Sequence, residues 1–261
     1  VTRFDTTPSG VAVVTLDRPD KLNALTFDIY RELCDWFAAV ERDAAVRSVV
    51  VTGAGRAFSS GGDVHEIIGE LLKMEGRELL AFTRMTGELI GNMRRLRKPI
   101  VAAVNGVAAG AGAVIALAAD LRVMATTAKM AFLFVRVGLA GADMGAAFLL
   151  PRVIGLGRAT ELLMLGDSIP APVCERMGLA NEVVPPDELL PAAMRLAERL
   201  ARGPGFALAM TKELLNAELS MSLAQALEAE AQAQQICMQT RDFREAFQAF
   251  VDKRDPAFEG R

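Results

Sequence analysis

The chain has 261 residues, of which 52% are apolar and 23% charged, and a formal net charge of −3. That length fits one large domain, or a domain with an appendage, and the composition suffices to bury a full core. A mildly acidic balance, with no Lys/Arg cluster interleaved with aromatics, argues against nucleic acid as the main partner.

Taken in chain order, "VAVVTLDR" (Val11 to Arg18) reads as a strand ended by Pro19. From Thr26 to Asp43 the residues Leu33, Trp36, Phe37 and Val40 follow the spacing of one helical face, with Thr26 placed as N-cap. "VRSVVVTGAG" is a buried strand running into a glycine turn. "SSGGDVHEI" then opens a helix, where Asp63 and Glu66 have the spacing of a capping box. A mixed helical region continues to about Arg95. The densest basic run, "MRRLRK" (Met93 to Lys98), reads as a solvated helix end.

Ile100 to Ala119 carries no charge and is long enough to span a bilayer. Asn105, Gly106, Gly110 and Gly112 interrupt it, however, and Ala and Val dominate, so the expectation is a buried strand, a turn and a buried helix rather than a membrane span. "LRVMATT" and "KMAFLFVRVG" suggest further short strands. After about Pro185 the chain reads as helices, the last with an apolar face of Phe243, Phe247, Phe250 and Val251. Recurrent strand, loop and helix predict an α/β fold. A soft boundary near residue 200 separates a core, 1–200, from a C-terminal helical region, 201–261.

Cys34, Cys174 and Cys237 are far apart, and His65 is the only histidine. Neither a disulfide framework nor a Cys/His zinc site is expected from them, and a reducing cytoplasm is the simplest compartment. No metal or nicotinamide signal is present: "GAGRAF" and "GAGAV" lack the full G-x-G-x-x-G with its acidic partner.

Two stretches share one design, Ser59-Ser60-Gly61-Gly62-Asp63 and Gly106 through Gly112: a buried strand ends, small residues turn, and a helix begins. The first turn of a helix offers unsatisfied N–H groups, and glycine lets a ligand approach the backbone closely. Two such turns aimed at one point would bind a developing oxyanion.

These turns with their flanks, "GAGRAFSSGGDVHEI" and "KPIVAAVNGVAAGAG", resemble the crotonase, or enoyl-CoA hydratase/isomerase, superfamily. "LDRPDKLNAL" is similar to that family's first coenzyme A loop. "LPRVIGLGRATELLMLGDSIPAPVCERMGLANEVVP" is similar to its helices after the active site, and "FVDKRDPAF" to its C-terminal coenzyme A contact. The resemblance covers nearly the whole chain. It implies a crotonase-like spiral of ββα units with a C-terminal helical region, an acyl-CoA thioester substrate with coenzyme A as part of it and no other cofactor, and a homotrimer or dimer of trimers.

The same resemblance implies oxyanion donors at the Gly62 and Ala111 N–H groups. Coenzyme A contacts carry over to Lys21, Leu22 and Ala24, to the backbone around Ser60, Asp63 and Val64, and to Phe250 and Lys253 of the tail. Plain alternatives are a soluble surface for Lys21 and Lys253 and a core position for Phe250.

Two positions depart from the family's pattern. The glutamates that flank the double bond in a typical hydratase fall here on Val114 and Phe134, which cannot perform acid–base chemistry. One acid reappears nearby, Asp143 in "VGLAGADMGA", on a loop one residue longer than the "GLAADVG" loop of dienoyl-CoA isomerases that it resembles. Asp143 is expected to be a catalytic proton shuttle, the N-cap of the following helix, or both. The function expected is a lyase or isomerase acting on an unsaturated acyl-CoA through an oxyanion-stabilised enolate. The alternatives are hydrolase-type or dienoyl-CoA isomerase activity, or an acyl-CoA binder without catalysis.

Overall fold

A computed structural model describes residues 2–260. The chain opens with an antiparallel pair, β1 (Thr2–Thr6) and β2 (Val11–Leu16), followed by α1 (Phe27–Ala39). Strands then come in twos. β3 (Ser48–Gly53) is followed by β4 (Ala57–Ser59), and this pair leads through a π-helical turn (Val64–Ile68) and the short α2 (Gly69–Leu71) to the long α3 (Gly76–Arg95). β5 (Ile100–Val104) and β6 (Val107–Ala109) lead to α4 (Ala111–Ala118). β7 (Leu121–Ala125) and β8 (Lys129–Ala131) lead, after a 3-10 turn (Leu133–Val137), to α5 (Ala146–Ile154) and α6 (Leu156–Leu165).

The first strand of each pair joins one sheet and the second joins another. The larger sheet runs β1-β2-β3-β5-β7-β10 and the smaller β4-β6-β8-β9, where β9 is Ser168–Pro170 and β10 is Glu182–Val184, with α7 (Ala171–Arg176) between them. β2, β3, β5, β7 and β10 are parallel, which requires the crossover helices that the chain supplies. The result is the spiral of ββα units expected from the sequence. Its central strands β3 and β5 are covered on both faces, which is why Val49 to Val51 and Ile100 to Val104 read as unbroken apolar runs rather than alternating ones.

Ile100–Ala119 is the buried strand, turn and buried helix expected: β5, β6 and α4, with every residue of α4 buried. No described helix is long and apolar enough to cross a membrane. α8 (Leu189–Ala201) packs on β3, β5 and β7, and Ser48 Oγ donates to Ala197 O at 2.8 Å. α9 (Gly205–Ala217), α10 (Leu223–Cys237) and α11 (Arg241–Asp252) follow.

Three local expectations are corrected. The strand expected across Lys129 to Gly138 stops at Ala131, because its partner β9 supplies only three residues of pairing; beyond it the chain bends into the 3-10 turn. The capping box at Asp63 is half made: Asp63 accepts from the His65 and Glu66 N–H groups, but Glu66 reaches Arg18 at 2.7 Å instead of returning to Asp63. The basic run 93–98 is engaged inside the fold rather than solvated. Arg94 meets Asp120 at 3.2 Å, Arg97 meets Glu213 at 2.7 Å, and Lys98 Nζ donates to Val40 O at 2.5 Å and Asp43 O at 2.6 Å.

Candidate active site

The two glycine turns touch. Gly61 has φ +92, and a methyl group placed on it would lie 2.8 Å from Ala109 O and 3.5 Å from Ala111 N. Within these turns Gly61 N donates to Ser59 Oγ at 3.2 Å and Gly110 N to Ala131 O at 2.8 Å. The next amide of each turn, Gly62 and Ala111, donates to no acceptor among the described residues. Ala111 is the first residue of α4, so its N–H also carries the positive end of that helix. A methyl group on Gly112 would meet Ser59 O at 2.6 Å, so only glycine allows α4 to start this close to β4.

The loop before α1 is stitched to the first turn. Ser60 N donates to Leu22 O at 2.9 Å, Leu25 N to Gly61 O at 2.8 Å and Asp63 N to Leu25 O at 2.8 Å. Asn23, only 1% exposed, holds the assembly together: its amide donates to Ala54 O and Ala57 O, its side-chain oxygen accepts from Arg18 N, and its backbone oxygen accepts from Ser59 Oγ. Leu22 and Asn23 both have left-handed φ, +50 and +55, a strain that this network sustains.

Lys21 is exposed, Leu22 half-buried, Ala24 buried and Val64 exposed at the mouth of this loop. Because the Ser60 and Asp63 N–H groups are used within the fold, a ligand contact at Ser60 would fall to its carbonyl or hydroxyl. The Asp63 carboxyl is held below the usual range, first by the Glu66 N–H and then by the His65 N–H, with Arg18 and Lys21 adding to it against a penalty from burial.

Asp143 lies on the loop before α5 and lines a cavity of about 460 Å³ with Ile68, Leu71, Phe82, Leu139 and Ala142 among its apolar walls. Burial raises its pKa, partly offset by the Met144 N–H, which donates to Oδ1 at 2.9 Å. The Asp143 side chain does not cap α5: the N-cap is Gly145, and the Asp143 backbone oxygen accepts from Ala146 N. Val114 is fully buried on α4 and Phe134 is 6% exposed in the 3-10 turn. Ile68 of the cavity wall follows Ile67, whose side chain packs 3.5 Å from the Gly62 Cβ position.

A larger cavity, about 760 Å³, lies between α3, α5 and α9, but its buried cation is satisfied: Lys212 Nζ is 2.8 Å from Asp120 and 3.2 Å from Met93 O and Lys98 O. In the tail, Phe250 is 84% exposed, so it is no core residue of its own chain, and Lys253 ends α11 in the left-handed conformation.

A sequence profile of the enoyl-CoA hydratase/isomerase family matches residues 6–261. The chain belongs to the enoyl-CoA hydratase/isomerase family. It is 35% identical over 252 residues to a 1,2-epoxyphenylacetyl-CoA isomerase of Escherichia coli (strain K12), covering 97% of this chain and 96% of the relative. It is 34% identical over 245 residues to a short-chain-enoyl-CoA hydratase of Clostridium acetobutylicum, covering 94% and 92%. A crystal structure from Streptomyces coelicolor A3(2), provisionally described as an enoyl-CoA hydratase, superposes with a TM-score of 0.97 at 54% identity, over all of this chain and 94% of that one. The protein is thus an enzyme of the hydratase/isomerase class.

Two residues that shape this family member's site were not singled out from the sequence. Asn23 stands as a lone short polar residue between Leu22 and Ala24, and that isolation was its signal. Tyr30 precedes Leu33 and Phe37 by three and seven positions, which places it on the buried face of α1.

Proposed function

We propose that this enzyme isomerises an unsaturated acyl-CoA thioester through an enolate-like intermediate. The Gly62 and Ala111 N–H groups hold the thioester oxygen, and Asp143 carries the proton. The observation behind this reading is the pairing of two adjacent, unpartnered amides with a neighbouring apolar cavity whose walls include one carboxyl group.

Preorganised donors of this kind stabilise a developing oxyanion by about 3–4 kcal/mol each. A base whose pKa burial raises is better matched to taking and returning a proton near neutrality than an exposed aspartate. A single base suffices for isomerisation: Asp143 removes a proton from carbon next to the conjugated system, negative charge collects on the thioester oxygen, and the same proton returns at a different carbon. Hydration by two carboxylates is disfavoured, since Val114 and Phe134 occupy the positions where such acids would stand.

Lys21 and Lys253 supply positive charge for the coenzyme phosphates, and Leu22, Ala24, Ser60, Asp63, Val64 and Phe250 complete the coenzyme contacts in this reading. The exposed phenyl rings of α11 support association with further copies, as a trimer or dimer of trimers.

The test is a panel of saturated, enoyl, dienoyl and aromatic acyl-CoA thioesters with product mass measured. Isomerisation leaves mass unchanged while the chromatographic position moves; gain of water indicates hydration, and loss of coenzyme A indicates hydrolysis. Asp143→Asn is expected to lower turnover by roughly 10²–10⁴-fold, and an unchanged rate would remove Asp143 from the reaction.

A further inference from the structure

The walls of the Asp143 cavity restrict the acyl group that can enter it. Ile68, Leu71 and Phe82 come from the segment that runs from the π-helical turn through α2 into α3, and Leu139 and Ala142 from the loop before α5. Among the described residues only two polar side chains reach the wall, Thr83 and Asp143. Thr83 spends its proton on its own helix, with Oγ1 donating to Leu80 O at 3.1 Å. Asp143, which begins the proposed reaction as a base, has no proton to give, and its Oδ1 already accepts from the Met144 N–H. The wall therefore offers a ligand no side-chain donor. Its aromatic part is also fixed. Phe27 and Tyr30 of α1 stand edge-on to the Phe82 ring, at 5.2 Å and 5.8 Å between centroids, and hold it in place.

Size sets a second limit. The cavity holds about 460 Å³, and a methylene group fills about the volume of one liquid water molecule, about 30 Å³. A butanoyl chain leaves most of that space without contacts. A chain of about eight to twelve carbons fills it, apart from the mouth, where the lining residues Leu72 and Val137 are 85% and 57% exposed.

We propose that the acyl group this enzyme takes is an unfunctionalised hydrocarbon chain of about eight to twelve carbons, and that chains carrying a keto or carboxylate oxygen are excluded. The proposal rests on the reading that this cavity receives the acyl part of the thioester. Each methylene leaves water for an apolar wall and gains by it. An oxygen that accepts hydrogen bonds leaves its water behind, meets no side-chain donor, and faces the Asp143 anion instead.

Calorimetric binding of saturated acyl-CoA thioesters, which cannot isomerise, tests this apart from the reaction. From butanoyl upward, Kd is expected to fall roughly 3–4-fold per added methylene, and to level off at about eight to twelve carbons. Replacing the terminal methyl of the octanoyl chain by a carboxylate should weaken binding roughly 10–100-fold. Asp143→Asn removes the charge and brings an N–H donor, so that penalty should shrink in this variant. Leu79→Trp, at a half-buried position of the wall, should bring the plateau to shorter chains and leave butanoyl binding unchanged.

A Kd that does not depend on chain length, or a carboxylate-ended chain that binds as tightly as octanoyl, overturns the proposal. The enolate reading survives that result if Asp143→Asn has lost turnover. A chain that binds no acyl-CoA of any length overturns both.

Discussion

Two aspartates illustrate how environment divides identical side chains. Asp63 accepts two backbone N–H groups and faces Arg18, which lowers its pKa. A depressed folded value means stability that is present above the unfolded pKa of about 3.9 and lost as pH falls through the folded one. Asp63→Ala is therefore expected to lose about 1 kcal/mol in urea unfolding at neutral pH, with the deficit shrinking in acid. A deficit independent of pH would contradict the assigned role of the charge. Asp143 has the opposite sign. Burial raises its pKa, so its ionised form weakens the folded state above that value, and the basic form that the proposed proton transfer uses appears only as pH rises through it. Asp143→Asn should thus be at least as stable as the wild type at neutral pH in thermal unfolding while losing turnover, and a large drop in Tm would point to a structural role instead. Asn23 has neither sign to offer, being uncharged, yet removing it takes the donor from Ala54 O and the acceptor from the Arg18 N–H, and leaves Ala57 O with Asn105 alone. Asn23→Ala is expected to cost roughly 1–3 kcal/mol.

At the scale of elements, the site depends on two bends that only small residues permit. Gly61→Ala would force a side chain into φ +92 and 2.8 Å from Ala109 O, where strain of about 1–3 kcal/mol is usual. The expected outcome is a lower Tm together with weaker acyl-CoA binding, because the bend carries the Gly62 amide; a neutral substitution would show that the turns have more room than this packing allows. The same small-residue logic explains what could be read from the sequence. Strand, bend and helix at 100–119 were legible because their apolar residues are continuous and their glycines punctuate them. The helical faces of α1 and α11 were legible from spacing. Pairing length was not: Lys129 to Gly138 looks like one strand, and it stops at Ala131 because β9 is short, a fact stored in residues 168–170. Long-range hydrogen-bond choices were hidden for the same reason. Glu66 has the spacing to close a capping box and bonds Arg18 instead, and Arg18 is distant in sequence. Asp143 could be located by its loop, but its release from capping α5 required the backbone conformation of Met144, at φ +50, and Gly145, at φ +85.

The whole molecule is a spiral that brings successive strand ends to one place. β4 and β6 are parallel neighbours in the smaller sheet, so the turns that follow them emerge side by side. Fold and site are in this sense one argument: the register that pairs Ser59 with Ala108 is also what sets the Gly62 and Ala111 amides near each other. The outermost helices leave apolar surface uncovered, with Phe247 at 67% and Phe250 at 84% exposure. Replacing both by Asp is expected to reduce the sedimenting mass of the wild-type assembly, and a wild-type chain that sediments as a monomer would contradict the association proposed for α11. The central claim is that the two amides share one oxygen, and the infrared stretch of the thioester carbonyl tests it most directly. A saturated, unreactive acyl-CoA labelled with ¹³C at its carbonyl carbon is expected to show that band at lower wavenumber when bound than when free, as two strong donors draw charge onto the oxygen. A bound carbonyl band at its solution position would contradict the account.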